Sequence, residues 1–122
     1  MIPGTSYSPA KAFIDFARAF FEALANEDFS AALRKLDVSE RRWSKVDVVK
    51  ELDRVLLGSK VCSAVGFKKS ASPELIDLHN GHFELRHKIP VEFGWSNAVV
   101  TFVFKQKPNT GYFYVYLKEF QP

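Results

Sequence analysis

The chain predicts an α+β domain in which three N-terminal helices pack on a curved antiparallel sheet, and three features of the sequence predict it. Phe13, Phe16, Ala17, Phe20 and Leu24 recur at helical spacing. Residues 82–93 alternate strictly, with Phe83, Leu85, His87, Ile89, Val91 and Phe93 set between Glu84, Arg86, Lys88, Pro90 and Glu92. That period of two marks a strand with one apolar and one charged face. Asn80-Gly81 lies between the two apolar runs and is the strongest two-residue signal for a hairpin. Helices first and strands afterwards argue segregated layers rather than alternating βα units.

Ser8-Pro9 supplies a helix start, because serine caps free amides and proline is tolerated in the first turn. The first helix turns Asp15, Arg18 and Glu22 away from its apolar stripe. Asn26-Glu27-Asp28 interrupts it, and Asp28 caps a short second helix with Phe29, Ala32, Leu33 and Leu36 on one face. After the polar residues 37–42, Ser44 and Asp47 approximate a capping box. The third helix then buries Val48, Val49, Leu52, Val55 and Leu56 and stops at Gly58. Trp43 is expected to staple onto it.

In the second half, Val61, Ser63, Val65 and Phe67 read as a short strand and residues 70–73 as a linker. Residues 74–79 and 82–93 form the hairpin, with His79 opposite His82, Ile76 opposite Leu85 and Glu74 opposite His87. Residues 94–97 read as the next turn, 98–106 as a strand, 107–111 as a loop and 112–120 as the last strand. Pairing Phe93 with Ala98 and Phe104 with Phe113 puts Val100, Phe102, Phe104, Phe113, Val115 and Leu117 on the inner face. The outer face then carries Val99, Thr101, Val103, Tyr112, Tyr114 and Tyr116, an apolar surface for a sheet side that meets water.

Composition narrows the function classes. The 122 residues suit one domain (1–122) with a core of its own. One cysteine, Cys62, excludes an intrachain disulfide and fits a reducing compartment. Residues 1–9 lack a leader pattern and no apolar run approaches about 20 residues, so the expectation is a soluble, cytoplasmic protein with no membrane partner. The net charge of +3 is spread thinly, ten basic against nine acidic residues in 1–61 and seven against five in 62–122. Interspersed charge of this kind argues against a nucleic-acid footprint. Phosphate loops, nucleophile elbows, paired-cysteine sites and the H-E-x-x-H pattern are all missing, and no cofactor or metal is expected.

Three constellations carry what chemistry remains. His87, inward and opposite Glu74 with Phe104 on its other flank, has the composition of a general acid/base site or of a satisfied core histidine. His79, His82, Asp77 and Glu84 gather at the hairpin turn, where imidazoles and carboxylates could meet one divalent metal but lack a supporting shell. Tyr112, Tyr114 and Tyr116 with Val99 and Val103, beside Arg86 and Lys88 and extended by Trp95, combine the residue types that anchor protein interfaces.

Residues 16–36, F-A-R-A-F-F-E-A-L-A-N-E-D-F-S-A-A-L-R-K-L, resemble the opening helices of the nuclear-transport-factor-two-like superfamily, which includes ketosteroid isomerase and scytalone dehydratase. The resemblance implies a cone-shaped fold. The P-V-E-F-G-W-S-N segment within residues 89–102 also resembles the sheet region of small bacterial proteins, some encoded beside polymorphic toxins. That superfamily hosts enzymes, dimerisation modules and immunity-type binders, so the fold does not choose among them. Two functions follow as expectations: a non-catalytic protein-binding domain using its sheet face, for self-association as a dimer or as an immunity protein against a cognate toxin, or a small cofactor-independent isomerase or dehydratase working at His87.

Overall fold

The computed structural model describes residues 1–4, 9–37 and 42–122. Three helices, α1 (Pro9–Ala25), α2 (Phe29–Arg34) and α3 (Lys45–Leu56), accompany five strands: β1 (Ile2–Pro3), β2 (Glu74–His79), β3 (His82–Val91), β4 (Gly94–Gln106) and β5 (Tyr112–Gln121). All the pairings are antiparallel, in the order β1-β5-β4-β3-β2. The expected α+β class with helices preceding the sheet strands β2 to β5 is what the chain adopts.

Local signals account for the helices. Pro9 opens α1; the proposed cap Ser8 lies outside the described residues. Asp28 accepts the amide of Ala31 at 3.0 Å. Ser44 Oγ accepts the Asp47 amide at 3.1 Å while Asp47 accepts the Ser44 amide at 3.0 Å, a complete capping box. At the far end of α3 it is Leu57, not Gly58, that takes the left-handed cap conformation, with φ of 52°, and Gly58 follows at 94°.

The core lies between α1 and the inner sheet face. Phe13 stacks on Phe104 at 3.9 Å between ring centroids, and Phe16 and Phe20 meet Phe102 edge-on at 5.4 and 5.1 Å. Val100, Phe102, Phe104, Phe113, Val115 and Leu117 are all buried, as alternation requires. Trp43 packs on β5. Its Nε1 donates to the Leu117 carbonyl at 2.8 Å, and its ring meets Phe120 at 5.6 Å.

The registers differ from the sequence-based expectation in instructive ways. His87 pairs with Val100, not Phe104, a slip of four residues, and Phe104 pairs with Val115 rather than Phe113, a slip of two. These even slips leave Val100, Phe102, Phe104, Phe113, Val115 and Leu117 on their expected face, whereas Phe93, expected on the apolar face, lies in the turn and is exposed. The β3–β4 slip arises because the turn falls on Glu92-Phe93, with Gly94 at φ of 126°, instead of on residues 94–97. Trp95 and Ser96 belong to β4, held by Trp95 Nε1 donating to Lys69 O and Ser96 Oγ donating to Ile89 O, each at 2.8 Å.

The β2–β3 hairpin slips by one, which does exchange faces. Leu78 is an extra residue in β2, so Asp77 lies opposite Phe83, Leu75 opposite Leu85, Ile76 opposite Glu84 and Glu74 opposite Arg86. Asp77 Oδ1 accepts the His79 amide at 2.7 Å and closes this bulge locally. A second bulge at Lys118 returns Phe120 to the core.

Two further departures concern the periphery. Residues 61–67 are irregular rather than a strand: Glu22 of α1 takes the Ser63 hydroxyl at 2.7 Å and the Ala64 amide at 3.2 Å, diverting the segment into a turn at Val65-Gly66. β1, at two residues, is too short to carry a period in the sequence. It pairs Ile2 with Phe113 and Pro3 with Tyr112. Gly4 then passes so close to the Phe113 ring that a Cβ would stand 2.5 Å from it.

Candidate functional site

His87 sits on the inner face of β3 with no exposed surface, its ring between Phe21 at 5.2 Å and Trp95 at 5.4 Å. Its Nε2 lies 3.3 Å from Arg18 Nε, a group that can only donate. Nε2 therefore carries the lone pair, and Nδ1–H donates to the Lys88 carbonyl at 2.8 Å. Burial pushes the imidazole below its ordinary range; the Lys88 carbonyl opposes the shift, and the Arg18 charge adds to it. This is a neutral histidine of fixed tautomer with both ring nitrogens occupied.

Glu74 is not its partner. The one-residue slip turns that carboxylate to Arg86, 3.8 Å away, on the outer side of the sheet. Arg18, expected on the polar side of α1, takes the place beside the histidine. Its guanidinium lies 4.7 Å from the centre of the Trp95 ring. Sequence period alone put Arg18 in solvent; its long stem lets the head reach the sheet from the flank of the helix.

Trp95 also lies elsewhere than expected. The register slips between Lys88 and Pro90, and the indole lies against His87, Arg18 and Phe67 instead of extending the tyrosine row. A surface depression of about 490 Å³ is bounded by Trp95, Phe67 and Lys88 and does not include His87. A second depression of about 380 Å³ opens between the helices, where Leu24, Phe29, Val49 and Leu52 supply apolar walls.

The outer sheet face brings the remaining candidates together. Val103 lies opposite Tyr116 and Lys105 opposite Tyr114, with the Tyr114 and Tyr116 rings 6.4 Å apart and nearly parallel. Tyr112 is exposed at the end of the row, whereas Val99, Val103, Tyr114 and Tyr116 are half-buried. Partial burial raises the Tyr116 hydroxyl above its ordinary pKa, with Asp37 and Tyr114 adding to the effect. Lys105 lies 5.5 Å from the Tyr116 ring centre.

Beside the tyrosines runs a ladder of charge. Glu84, only 7% exposed, accepts from Lys118 Nζ at 2.6 Å and lies 3.8 Å from Arg86, which also reaches Glu74. Arg86 keeps its head at the surface, and Lys88 is half-buried at the end of the row. The proposed cluster of His79, His82, Asp77 and Glu84 is not assembled. Asp77 is engaged by the bulge and Glu84 by Lys118, and no group of three or more possible metal ligands occurs among the described residues. Among the described residues no helix is long and apolar enough to cross a membrane.

Comparison with protein-family models, with curated proteins and with solved structures finds no match to this chain.

Proposed function

We propose that this chain is a non-catalytic protein-binding domain that engages its partner through the outer face of its sheet. The observation that carries this reading is the row of Tyr112, Tyr114 and Tyr116 with Val99 and Val103, on a face to which none of the described helices contributes a core residue. Tyrosine gives a large rigid contact area at small entropic cost, and Arg86 and Lys88 at the margin add the charged rim of an interface. The competing reading, proton transfer at His87, needs a ring nitrogen open to substrate; here one faces Arg18 and the other a carbonyl.

The order of three helices before an antiparallel meander supports the resemblance to the nuclear-transport-factor-two-like cone, and with it a cytoplasmic immunity protein whose partner is a cognate toxin. The outer face offers Arg86, Lys88, Lys105 and Lys118 against Glu74, Glu84 and Glu119, a nearly balanced set. A balanced face does not suit the basic active site of a nuclease, so the toxin expected is of another class.

The test is co-expression with a toxin encoded beside this gene, together with sedimentation analysis of the purified chain alone. Protection of growth, a 1:1 complex or a stable homodimer supports the reading if Tyr114→Glu/Tyr116→Glu abolishes it while thermal melting stays cooperative. A double variant of two anchors should weaken binding at least about thirtyfold, the effect of losing about 2 kcal/mol. A chain that stays monomeric and does not bind, or an association indifferent to the double variant, overturns it.

A further inference from the structure

We propose that the depression between residues 67–70 and the β3–β4 turn is a binding site for a small anion carried on a flat apolar ring, an aryl carboxylate or aryl phosphate. It does not rest on the sheet-face reading. The depression, at about 490 Å³, falls within the size range of small-molecule sites. Two aromatic walls meet edge to face, Phe67 and Trp95, with ring centroids 5.1 Å apart and planes at 89°.

The Trp95 wall is fixed from several sides. Its Nε1 donates to the Lys69 carbonyl, the Arg18 guanidinium lies against the ring, and His87 packs beside it. A wall already held in place costs little to organise around a ligand. Phe93, 95% exposed, stands at the rim where a second ring in the cup would cover it.

Charge selects the anion. Lys68, Lys69 and Lys88 line the depression, and none of them has an ion pair among the described residues. Arg18 behind Trp95 likewise faces an imidazole rather than a carboxylate. Against the three lysines of the lining stands one carboxylate, Glu92. Ser70 adds a hydroxyl whose oxygen already accepts the Ser72 amide at 3.0 Å, leaving its hydrogen to donate. A bound anion would meet this excess of positive charge while the rings cover its apolar body.

The experiment is an amide-shift titration of the full chain with 2-naphthoate, 2-naphthyl phosphate and the neutral 2-naphthol. Both anions should shift amides of residues 67–70, 88 and 92–95, and the neutral compound should bind at least about tenfold more weakly. Lys68 and Lys69 are exposed, so Lys68→Ala/Lys69→Ala should keep the native spectrum while weakening the anions at least about tenfold. Tighter binding of carboxylate or of phosphate assigns the anion class. Shifts confined to the groove between the helices, equal binding of the neutral compound, or an affinity indifferent to the lysine variant overturns the proposal.

Discussion

Acidification should destabilise this protein through His87, and the sign follows from the site. The folded imidazole is held below its ordinary value of 6.5 by burial first and by the Arg18 charge in addition. As pH falls through 6.5 the unfolded chain takes up a proton that the folded chain refuses, so the unfolded state binds more protons and stability falls with pH. The loss runs from 6.5 down to the folded value and then levels off. Protonating Nε2 would also set an N–H against the Arg18 N–H now 3.3 Å away, so the folded state cannot take the proton without breaking that contact. Between about pH 7 and about pH 5.5, one such proton is worth at most about 1.3 kcal/mol. Urea denaturation of the wild type and of His87→Leu at both pH values isolates it, because the carboxylates common to both proteins cancel. The variant should lose less on acidification, by at most that bound of about 1.3 kcal/mol, and the imidazole nitrogen shifts of the wild type should report the Nδ1–H tautomer throughout. Equal losses in the two proteins would refute the neutral, buried histidine.

Other consequences are read from stability. Phe13→Ala removes a fully buried ring that contacts Phe83, Phe104 and Phe113 and should cost about 3–5 kcal/mol in urea denaturation. Gly81→Ala places a Cβ at φ of 77° and 2.9 Å from Gln106 Cβ; a loss of about 1–2 kcal/mol is expected, visible as a lower melting temperature. Ser44→Ala opens the capping box of α3 and should cost about 1 kcal/mol, with faster amide exchange at Asp47 as its local signature.

The sheet explains how face assignment survives while pairing fails. The expected β3–β4 register, and the β4–β5 register over Phe102–Gln106, are displaced by even numbers, so Val100, Phe102, Phe104 and Val115 reach the core despite wrong partners. Burial of apolar side chains tests face, not partner. The hairpin at Asn80-Gly81 is displaced by one, because nothing in the pattern of Leu75, Ile76 and Leu78 distinguishes a regular strand from one with an extra residue. That slip separates Glu74 from His87 and dissolves the expected catalytic pair.

The chain by itself determined the α+β class, the caps of α2 and α3, the apolar stripe of α1, the inner sheet face and the inward position of His87, since all of these follow from local chemistry and period. The tertiary structure decided the company His87 keeps. Arg18 and Trp95 converge on it from 69 residues away and from across a slipped register. Period says which side a residue leaves the backbone; only packing decides what a long side chain meets at its far end.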